Sequence, residues 1–417
     1  MRESKGRGGF MAGKKRTDNK GRVLRNGEMQ RSQDGRYVFK YFDISGKRKM
    51  IYAVTLVELR EKEQKLQRDL QDGIDTHSAE TISLNDMFDM YMETKQKKLR
   101  ESTKCNYNAM WNHRIRKSSL VNMKLSKIKP LHIDKFYADM AAEGLAEKTI
   151  RLLHHLIFPA LEMAVDNDYI RKNPSKNSDD KICGAKKERK ALSIVEHNAL
   201  LDFIWENPAY ELYSPMIAFA LATGLRVGEL TGLRWENIDL KNNKIFVRQQ
   251  LLYKNYGDGC RFHIQKLKTD AGLRDIPMRE NARKALFKQK ELLLKIGKRG
   301  QGVDGIEDFV FVNSQGNPFA TNAINLVLDN IVKDYNKMER DRAKKECRDC
   351  FELPHISAHI LRHTACTRFA EEGLDAKTLQ IIMGHSNISI TLDTYTHLDN
   401  STIQERIENL EESIKIV

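Results

Sequence analysis

The chain has 417 residues, of which 40% are hydrophobic, and this predicts a globular protein of two or three domains. Lys and Arg number 71 against 57 Asp and Glu, so a net charge of +14 and a pI of about 9.3 favour a polyanionic partner, nucleic acid before an anionic membrane. No apolar run approaches the ~20 residues that span a bilayer, and the basic start of the chain lacks a signal peptide's apolar core. We therefore expect a cytoplasmic protein with no membrane segment.

The first part of the chain combines basic residues with a strand pattern. Residues 1–22 are rich in Lys, Arg and Gly and predict a flexible basic arm, whereas residues 23–73 predict a small sheet followed by a helix. The expected strands are 24–30, 36–43 and 47–55, and the expected helix is 56–70. A basic sheet can lie in a DNA groove, so we expect 23–73 to be a DNA-binding domain, with a solvated basic appendage as the alternative.

Residues 82–175 predict an all-helical domain after a polar link over 74–81. The expected helices are 84–95, 103–115, 131–142 and 146–167, and Pro159 should kink or break the last of them. Cations near the helix ends suit a phosphate backbone, although such charge runs are often solvated. We expect a second DNA-binding domain here, joined to the rest by a polar linker over 176–190.

Residues 191–417 predict a third domain, mixed but mostly helical. The expected helices are 194–204, 215–221, 280–296, 321–345 and a C-terminal helix at 402–416. The expected strands, 244–250, 262–266 and 273–276, predict one small antiparallel sheet. The fold class expected for the whole chain is therefore mainly α with small β-sheets, of the α+β type.

The most candidate chemistry lies near the C-terminal end. His359 and Arg362 are three residues apart in a helical pattern, so both should project from one helix face and could address one anion. Gly384 has the position of a helix-ending residue in left-handed conformation, which places His385 at a turn. Tyr395 follows in a short helical or irregular segment. A guanidinium, two imidazoles and a phenol can therefore converge.

The cysteines near this region raise the question of a metal site. Six scattered cysteines do not form a disulfide framework, but Cys347 and Cys350 make a CxxC that His355 and His359 follow. A Cys2His2 zinc site is thus an alternative, yet its pairs are far closer together than in a zinc finger. The phosphate-loop pattern GxxxxGK with Ser or Thr is absent. We expect neither a metal nor a cofactor.

Five motifs occur in one order between residues 222 and 396: ATGLRVGEL, Lys268 in a predicted hairpin, HILRHT, MGHS and TLDTY. Together they resemble the catalytic domain of tyrosine recombinases, the phage-integrase-like family. The helical segment before them resembles the family's core-binding domain. The segments NKGRVLRNGE and DGRYVFKY resemble the arm-binding domain of integrases from conjugative transposons.

The resemblance implies a bacterial enzyme, nucleoid-associated when bound to DNA, that integrates and excises a mobile element. It implies strand cleavage through a 3′-phosphotyrosyl intermediate and a Holliday junction, carried out by a homo-tetramer on double-stranded DNA, with an excisionase as helper. Neither a metal nor ATP is implied.

Chemistry assigns roles to the same residues. Breaking a phosphodiester without water or metal requires a nucleophile, cations that stabilise the phosphorane, and an acid for the leaving 5′ oxygen. Tyr395 suits the nucleophile, and Arg226 with Arg362 suits a clamp on the non-bridging oxygens. His359 could accept the phenol proton or bond an oxygen, and His385 could donate to an oxygen.

The leaving-group acid and the support of the clamp complete this set. Lys268, on a hairpin, suits the acid, but Lys266 lies two residues away and could replace it. Glu229 follows Arg226 by three residues and, by the resemblance, would buttress it. The predicted catalytic set is Arg226, Lys268, His359, Arg362, His385 and Tyr395, with Glu229 in support.

Two alternative functions share much of this sequence pattern. A type IB topoisomerase would use similar chemistry, but a separate basic N-terminal sheet argues against it. A non-catalytic DNA-binding protein would share the charge but would not need the whole catalytic set. The C-terminal helix 402–416 has an apolar stripe that either packs on its own domain or docks onto a neighbouring protomer.

Overall fold

The computed structural model describes residues 16–43, 46–95, 97–184, 190–257, 259–267, 270–297, 300 and 302–395, apart from the side chains of residues 76, 77, 270, 394 and 395. The chain divides into two compact units, Met1–Lys187 and Glu188–Val417, and each is described by itself. Both combine helices with small antiparallel sheets, so the expected fold class is confirmed. None of the described helices is both long and apolar enough to cross a bilayer.

The first unit begins with a three-stranded antiparallel sheet and one helix. The elements are β1 (Glu28–Gln30), β2 (Tyr37–Phe42), β3 (Arg48–Ala53) and α1 (Leu56–Gln71). Thr55 caps α1, since its side chain accepts a hydrogen bond from the Glu58 amide at 3.2 Å. The strand pattern therefore predicted the sheet and its helix, with shorter strands than expected.

The two faces of this sheet differ in character. One face packs on α1, where Tyr37 and Phe39 form a core with Leu59 and Leu66. The other face carries cations and large apolar side chains, because side chains alternate along a strand. We call it the outer sheet face and define it by its accessible residues, which lie beside buried Val38: Lys40, Phe42, Arg48, Met50 and Tyr52.

The expectation of a flexible arm over 1–22 does not hold for residues 16–22. Thr17 bridges to Val23, and buried Asp18 accepts hydrogen bonds from the Tyr37 hydroxyl at 2.8 Å and the Arg22 Nε at 2.8 Å. A buried carboxylate with these partners fixes the turn on the sheet. Sequence composition could not show this, because the pairing partner, Tyr37, is distant in sequence. Residues 1–15 lie outside the described residues.

The rest of the first unit is helical. Its helices are α2 (Thr76–Thr81), α3 (Leu84–Lys95), α4 (Glu101–Met110), α5 (Pro130–Ala142) and α6 (Glu147–Asp166). The expected polar link over 74–81 thus contains a short helix. In place of the expected helix 103–115, α4 ends at Met110 and a π-helical turn, Trp111–Ile115, follows it directly. Pro159 lies inside α6 without breaking it.

Aromatic packing explains where these helices meet. The ring of Trp111 stacks on Phe88 of α3 at a centroid distance of 3.6 Å, and its Nε1 donates to the Asn85 side chain at 3.0 Å. Trp111 is only 1% exposed. The π-helical turn therefore carries the largest side chain of this core onto α3.

The second unit contains two separate small sheets rather than one. The three-stranded sheet has the order β4 (Ile238–Asp239), β5 (Lys244–Val247), β8 (Arg274–Pro277), and the hairpin is β6 (Gln249–Asn255) with β7 (Cys260–Lys266). The prediction of a single sheet over 244–276 was wrong. β7 pairs with β6 along its whole length, from Gln249 opposite Lys266 to Asn255 opposite Cys260, while β8 pairs with β5.

Helices surround these sheets and build the main core. They are α7 (Ile194–Glu206), α8 (Ser214–Thr223), α9 (Val227–Thr231), α10 (Glu280–Ile296), α11 (Thr321–Glu346), α12 (Ala358–Glu371), α13 (Ala376–Met383) and α14 (Ser389–Tyr395). α8 is apolar on all sides and runs through the centre, with Phe219 packed on Phe311. The ends of α8 and α13 lie at Gly224 and Gly384, both in left-handed conformation with φ of 65° and 64°.

Candidate active site

Helix α12 carries two of the predicted residues in different environments. Ser357 caps the helix by accepting from the Ile360 amide, so Ala358 begins it and His359 lies in its first turn. His359 is exposed, whereas Arg362 is only 4% exposed. The two side chains are one turn apart, so His359 lies at the surface beside a guanidinium that is held in the interior.

Arg362 is held by backbone carbonyls. Its Nη1 donates to the Gly224 carbonyl at 2.7 Å, and its Nη2 donates to the carbonyl of Met383. Burial, together with the positive charge of Arg226, lowers the pKa of the Arg362 guanidinium to about 9. This value is still above neutral pH, so Arg362 remains a cation next to the ends of α8 and α13.

Arg226 and Glu229 form the second part of the site. Arg226 precedes α9, and its Nη1 donates to Glu229 Oε1 at 2.8 Å while its backbone amide donates to Oε2 at 3.0 Å. Its Nη2 donates to the Gly384 carbonyl at 2.6 Å. The Arg226 side chain remains 40% exposed, whereas the Glu229 side chain is 1% exposed. The predicted support of Arg226 by Glu229 is present in the geometry.

Arg274 of β8 is a site residue that the sequence analysis missed. It is 5% exposed and forms a two-pronged ion pair with Glu229, with distances of 3.1 Å from Nη1 to Oε1 and 2.9 Å from Nη2 to Oε2. Its Nε donates to the Ile382 carbonyl at 2.6 Å. A signal was available, because Arg274 and Ile276 share one face of a short strand, so a core-facing Ile276 implies an inward Arg274.

The last two carbonyls of α13 and the carbonyl of Gly384, which caps it, bind three different arginines in succession. The carbonyls of Ile382, Met383 and Gly384 accept from Arg274, Arg362 and Arg226 respectively. Carbonyls at a helix C-terminus have no partner within the helix and carry the negative end of its dipole. Three guanidiniums from distant parts of the chain are thus gathered on one backbone corner, which His385 immediately follows.

His385 faces this positive cluster. Its Nδ1 lies 2.9 Å from the hydroxyl of Thr391, which is fully buried. Burial and then the positive charges of Arg362, Arg226 and Arg274, with a contribution from His359, lower the pKa of His385 to about 4. The imidazole is therefore neutral at physiological pH. If the Thr391 hydroxyl donates to Nδ1, the proton of the ring lies on Nε2, which can donate outward.

Glu229 stays ionised between the arginines. Burial alone would raise the pKa of its carboxyl, but the hydrogen bonds and charge of Arg274, together with the charge of Arg226, hold the pKa below its usual value. The carboxylate thus accepts from both guanidiniums at once and spaces them apart. The site keeps a surplus of positive charge, with three arginines and one carboxylate.

The remaining predicted residues are only partly described. Lys268 lies outside the described residues, as does the expected helix 402–416. Lys266 is the last residue of β7, opposite Gln249, and is exposed. The backbone of Tyr395 ends α14, one helical turn after Thr391, but its side chain is not described. The structure thus brings together Arg226, Glu229, Arg362 and His385, with His359 at the rim.

The zinc alternative finds no support among the described residues. Cys347 and Cys350 are both exposed, with Cys347 in left-handed conformation at the end of α11. His355 Nδ1 lies 3.1 Å from Asp329. Within the described part of the chain, no group of three or more His, Cys, Asp or Glu side chains could hold a metal ion.

Comparisons with known proteins match most of the chain to one family. Residues 190–402 match the Phage integrase family, residues 12–70 match the DNA binding domain of the Tn916 integrase, and residues 83–141 match the N-terminal SAM-like domain of phage integrases. The transposase from transposon Tn916 of Enterococcus faecalis is 32% identical over 402 residues, which cover 92% of this chain and 93% of that protein. The transposase from Tn1545 of Streptococcus agalactiae serotype V has the same identity and coverage.

Solved structures show the same relationship. The Tn1549 transposon integrase in complex with transposon right end DNA superposes with a TM-score of 0.67 at 28% identity, covering 79% of this chain and 99% of that chain. A lambda integrase tetramer bound to a Holliday junction has a TM-score of 0.51 at 18% identity, over 88% of this chain and 94% of that one, and supports the fold alone.

The family matches and the relatives identify a tyrosine recombinase, the class that the arrangement of two arginines, a histidine at the following turn and a short helix that ends in tyrosine also indicates. The chain belongs to the phage integrase family, with transposon transposases among its relatives. It is a site-specific DNA recombinase, and the predicted family is confirmed.

Proposed function

We propose that this protein is the integrase of a conjugative transposon, which joins the element to its target and excises it again. The observation that carries the proposal is the corner after α13, where Arg226 and Arg362 bind adjacent carbonyls and His385 follows directly. The full-length similarity to the Tn916 and Tn1545 transposases supports a transposon as the substrate. The Tn1549 integrase bound to transposon end DNA supports recognition of the element's ends.

In the proposed reaction, the Tyr395 phenol oxygen attacks the scissile phosphorus and forms a 3′-phosphotyrosyl bond as the bond to the 5′ oxygen breaks. Arg226 and Arg362 stabilise the extra negative charge on the non-bridging oxygens. His359, exposed at the rim, accepts the phenol proton, and neutral His385 donates a hydrogen bond through Nε2. Lys268 gives a proton to the leaving 5′ oxygen. The attack reverses when a second 5′ hydroxyl displaces the tyrosine, so no metal or nucleotide is consumed.

The proposed domains divide the DNA between them. We assign arm-site binding to residues 23–73, core-site binding to 82–175 and catalysis to 191–417. The expected linker 176–190 is shorter than its polar sequence predicted, because Ser178 donates to Asp134 at 2.6 Å and Ile182 packs in the helical core. The outer sheet face supports the first assignment, since Lys40 and Arg48 lie beside Phe42, Met50 and Tyr52. The Arg31 guanidinium lies 5.8 Å from the Tyr52 ring centroid and adds a cation to this face. Cations and apolar side chains on one sheet suit a DNA groove.

The proposed active form is a homo-tetramer on two DNA partners, and strand exchange passes through a Holliday junction. An excisionase directs excision. The reaction takes place in the cytoplasm, on the nucleoid of a bacterium. Exchange of two duplexes requires four cleavages, and each protomer supplies one tyrosine. We assign the expected helix 402–416 to docking, either onto a neighbouring protomer or onto its own domain.

Covalent trapping tests the proposed reaction. A nicked suicide substrate from the element's ends is incubated in EDTA with the wild type, with Tyr395→Phe and with Tyr213→Phe. Tyr213 is a matched control in the same unit, where its ring packs on Phe319 at 5.3 Å. We expect a covalent adduct, stable in SDS, from the wild type and from Tyr213→Phe only. If no protein forms an adduct while all bind the DNA, or if Tyr395→Phe forms one as well, the proposed reaction is wrong.

A modified leaving group separates Lys268 from Lys266. A 5′-thiolate is a good leaving group without a proton, so a substrate with sulfur at the bridging 5′ position does not need the acid. We expect Lys268→Met to cleave the ordinary substrate roughly 100-fold more slowly and the sulfur substrate at the wild-type rate. Lys266→Met should cleave both normally. The reverse pattern would assign the acid to Lys266.

A further inference from the structure

Arg274 is a buried arginine whose donors are taken up inside the protein. Its Nη1 and Nη2 bind the two oxygens of Glu229, Nη1 also donates to the Gly272 carbonyl at 3.1 Å, and Nε donates to the Ile382 carbonyl at 2.6 Å. At 5% exposure it cannot reach a DNA phosphate at the surface. Any effect of Arg274 on the reaction must therefore pass through the groups that it holds.

One such group is Glu229, which Arg274 shares with Arg226. Oxygen Oε1 accepts from the Nη1 atoms of both arginines, at 2.8 Å from Arg226 and 3.1 Å from Arg274. Oxygen Oε2 accepts from the Arg226 amide at 3.0 Å and from Arg274 Nη2 at 2.9 Å. The orientation of the carboxylate is thus fixed from both sides. Because Arg226 is 40% exposed, the buried side of this pair supplies the rigid support.

The second group is the corner that ends α13. Arg274 Nε binds the Ile382 carbonyl, two residues before Gly384, whose carbonyl accepts from Arg226. A Cβ atom added at Gly384 would lie 2.9 Å from Arg274 Nη1, which shows how closely the guanidinium packs against this corner. One planar side chain thus touches both the support of Arg226 and the segment that carries His385.

We propose that Arg274 is a positioning residue for strand cleavage, which aligns Arg226 and His385 on one phosphate by holding Glu229 and the Ile382 carbonyl together. The inference rests on the proposed roles of Arg226 and His385. Lysine cannot replace Arg274 in this role, because a single ammonium lacks the planar fork that reaches a carboxylate along one edge and a carbonyl from Nε. The competing explanation is that Arg274 merely neutralises the buried charge of Glu229.

The two explanations differ in what a variant loses. A neutralising residue could be replaced, together with its partner, by uncharged groups of similar shape, as in the pair Arg274→Met with Glu229→Gln. A positioning residue could not, since the fork itself would be missing. A displacement of about 1 Å in a catalytic group can slow a reaction by roughly 100-fold without changing the affinity for substrate.

The test measures single-turnover cleavage of the suicide substrate by full-length protein, recording the rate constant, the amplitude and the Kd for DNA. The variants are Arg274→Lys and the double variant Arg274→Met with Glu229→Gln. Arg248→Met is the control, because it removes a cation between β5 and β6 that contacts Arg274 only at its backbone carbonyl, at 3.2 Å, and whose ion-pair partner, Asp275, is at the surface. We expect both test variants to keep the wild-type Kd within about twofold and to lose roughly 10–100-fold in the rate constant. The control should match the wild type.

Amplitude separates positioning from folding. A variant that misfolds in part gives a smaller amplitude at an unchanged rate constant, and this result for Arg274→Lys would overturn the inference. Wild-type kinetics in the double variant would also overturn it, in favour of simple neutralisation. If the wild type itself forms no adduct, the proposed function is wrong and the inference is wrong with it. If the wild type forms the adduct and the Arg274 variants cleave at the wild-type rate, the proposed function stands and the inference alone is wrong.

Discussion

Arg226 and Gly384 are 158 residues apart, and the Nη2 of Arg226 donates to the Gly384 carbonyl at 2.6 Å. Gly384 has a φ of 64°, a left-handed conformation that lets α13 end and turns its last carbonyls toward the arginines. The turn residue therefore holds one of the two arginines in place. The same bond joins the motif at the start of α9 to the motif that carries His385.

Replacement of Gly384 by alanine should disrupt this corner. Its Cβ would lie 2.9 Å from the Ala271 carbonyl and 2.9 Å from Arg274 Nη1, in addition to the strain of the left-handed backbone. We expect a loss of about 2–5 kcal/mol in the free energy of local unfolding and little cleavage. Hydrogen exchange of peptides from α12 and α13 measures this loss within the second unit.

Gly373→Ala is the matched control. Gly373 also has a left-handed backbone, with a φ of 96°, but nothing lies within 4 Å of an added Cβ. It should lose only about 1–2 kcal/mol and keep its cleavage rate constant. Equal losses in the two variants would show that backbone strain, and not the contact with Arg274, accounts for the effect at Gly384.

The outer sheet face gives a prediction about salt. Lys40→Ala with Arg48→Ala removes two cations from that face, so the slope of log K against log salt for arm-site DNA should fall by about 2. Fluorescence anisotropy of labelled DNA, measured between about 50 and 200 mM salt, gives the slope. Lys62→Ala with Lys65→Ala, on α1, should leave it unchanged. An equal change in slope from both pairs would mean that the overall positive charge of the domain, and not the outer sheet face, accounts for DNA binding.

Motifs predicted the site better than they predicted its supports. The pairs Arg226 with Glu229 and Gly384 with His385 were visible because each pair is local in sequence and follows helix start and stop signals. Arg274 was missed because its partners, Glu229 and the Ile382 carbonyl, are 45 and 108 residues away. Thr391 was also missed, although it is only six residues from His385. Nothing in the motif TLDTY shows which hydroxyl contacts the His385 ring.

The sheet error has a related cause. Strand patterns at 244–250, 262–266 and 273–276 were identified, but a pattern does not say which strand pairs with which. A single residue, Arg248, separates β5 from β6, and the chain leaves one sheet for the hairpin there. The result is a hairpin that is separate from the sheet that holds Arg274.

The Thr391 hydroxyl should fix the tautomer of His385. Thr391→Val keeps the shape of this fully buried side chain but removes the partner of Nδ1, which lies 2.9 Å from the hydroxyl. The ring can then place its proton on Nδ1 and lose its outward donor. A lost hydrogen bond of about 1–3 kcal/mol predicts a cleavage rate constant roughly 5–150-fold lower, with DNA affinity unchanged.

Thr391→Ser is the conservative control, since it keeps the hydroxyl and should restore most of the rate. Thr367→Val, on α12, removes a hydroxyl that donates to the His363 carbonyl at 3.1 Å and should have no effect on the rate constant. Similar rates in Thr391→Val and Thr391→Ser would mean that the hydroxyl does not control the imidazole.

The lowered pKa of His385 predicts how stability depends on pH. The folded protein holds this pKa at about 4, against 6.5 for an ordinary histidine, because of burial and the charges of Arg362, Arg226 and Arg274. Between these values the unfolded chain takes up a proton at this histidine and the folded chain does not. The stability contributed by the neutral state is therefore complete above pH 6.5, falls as the pH drops from 6.5 to 4, and changes no further below 4.

Substitution of His385 by Gln should remove this share of the pH dependence. The buried carboxylate of Glu229, whose pKa is also lowered, loses stability in the same direction and remains in the variant, so the curve should become shallower but not flat. Hydrogen exchange of α12 peptides at about pH 7, 6, 5 and 4, a range that spans the two pKa values, gives the slope of the unfolding free energy against pH for each protein. His355→Gln, which removes an exposed histidine beside Asp329, serves as control. Parallel curves for the wild type and His385→Gln would mean that His385 titrates normally and that the arginine cluster does not reach it.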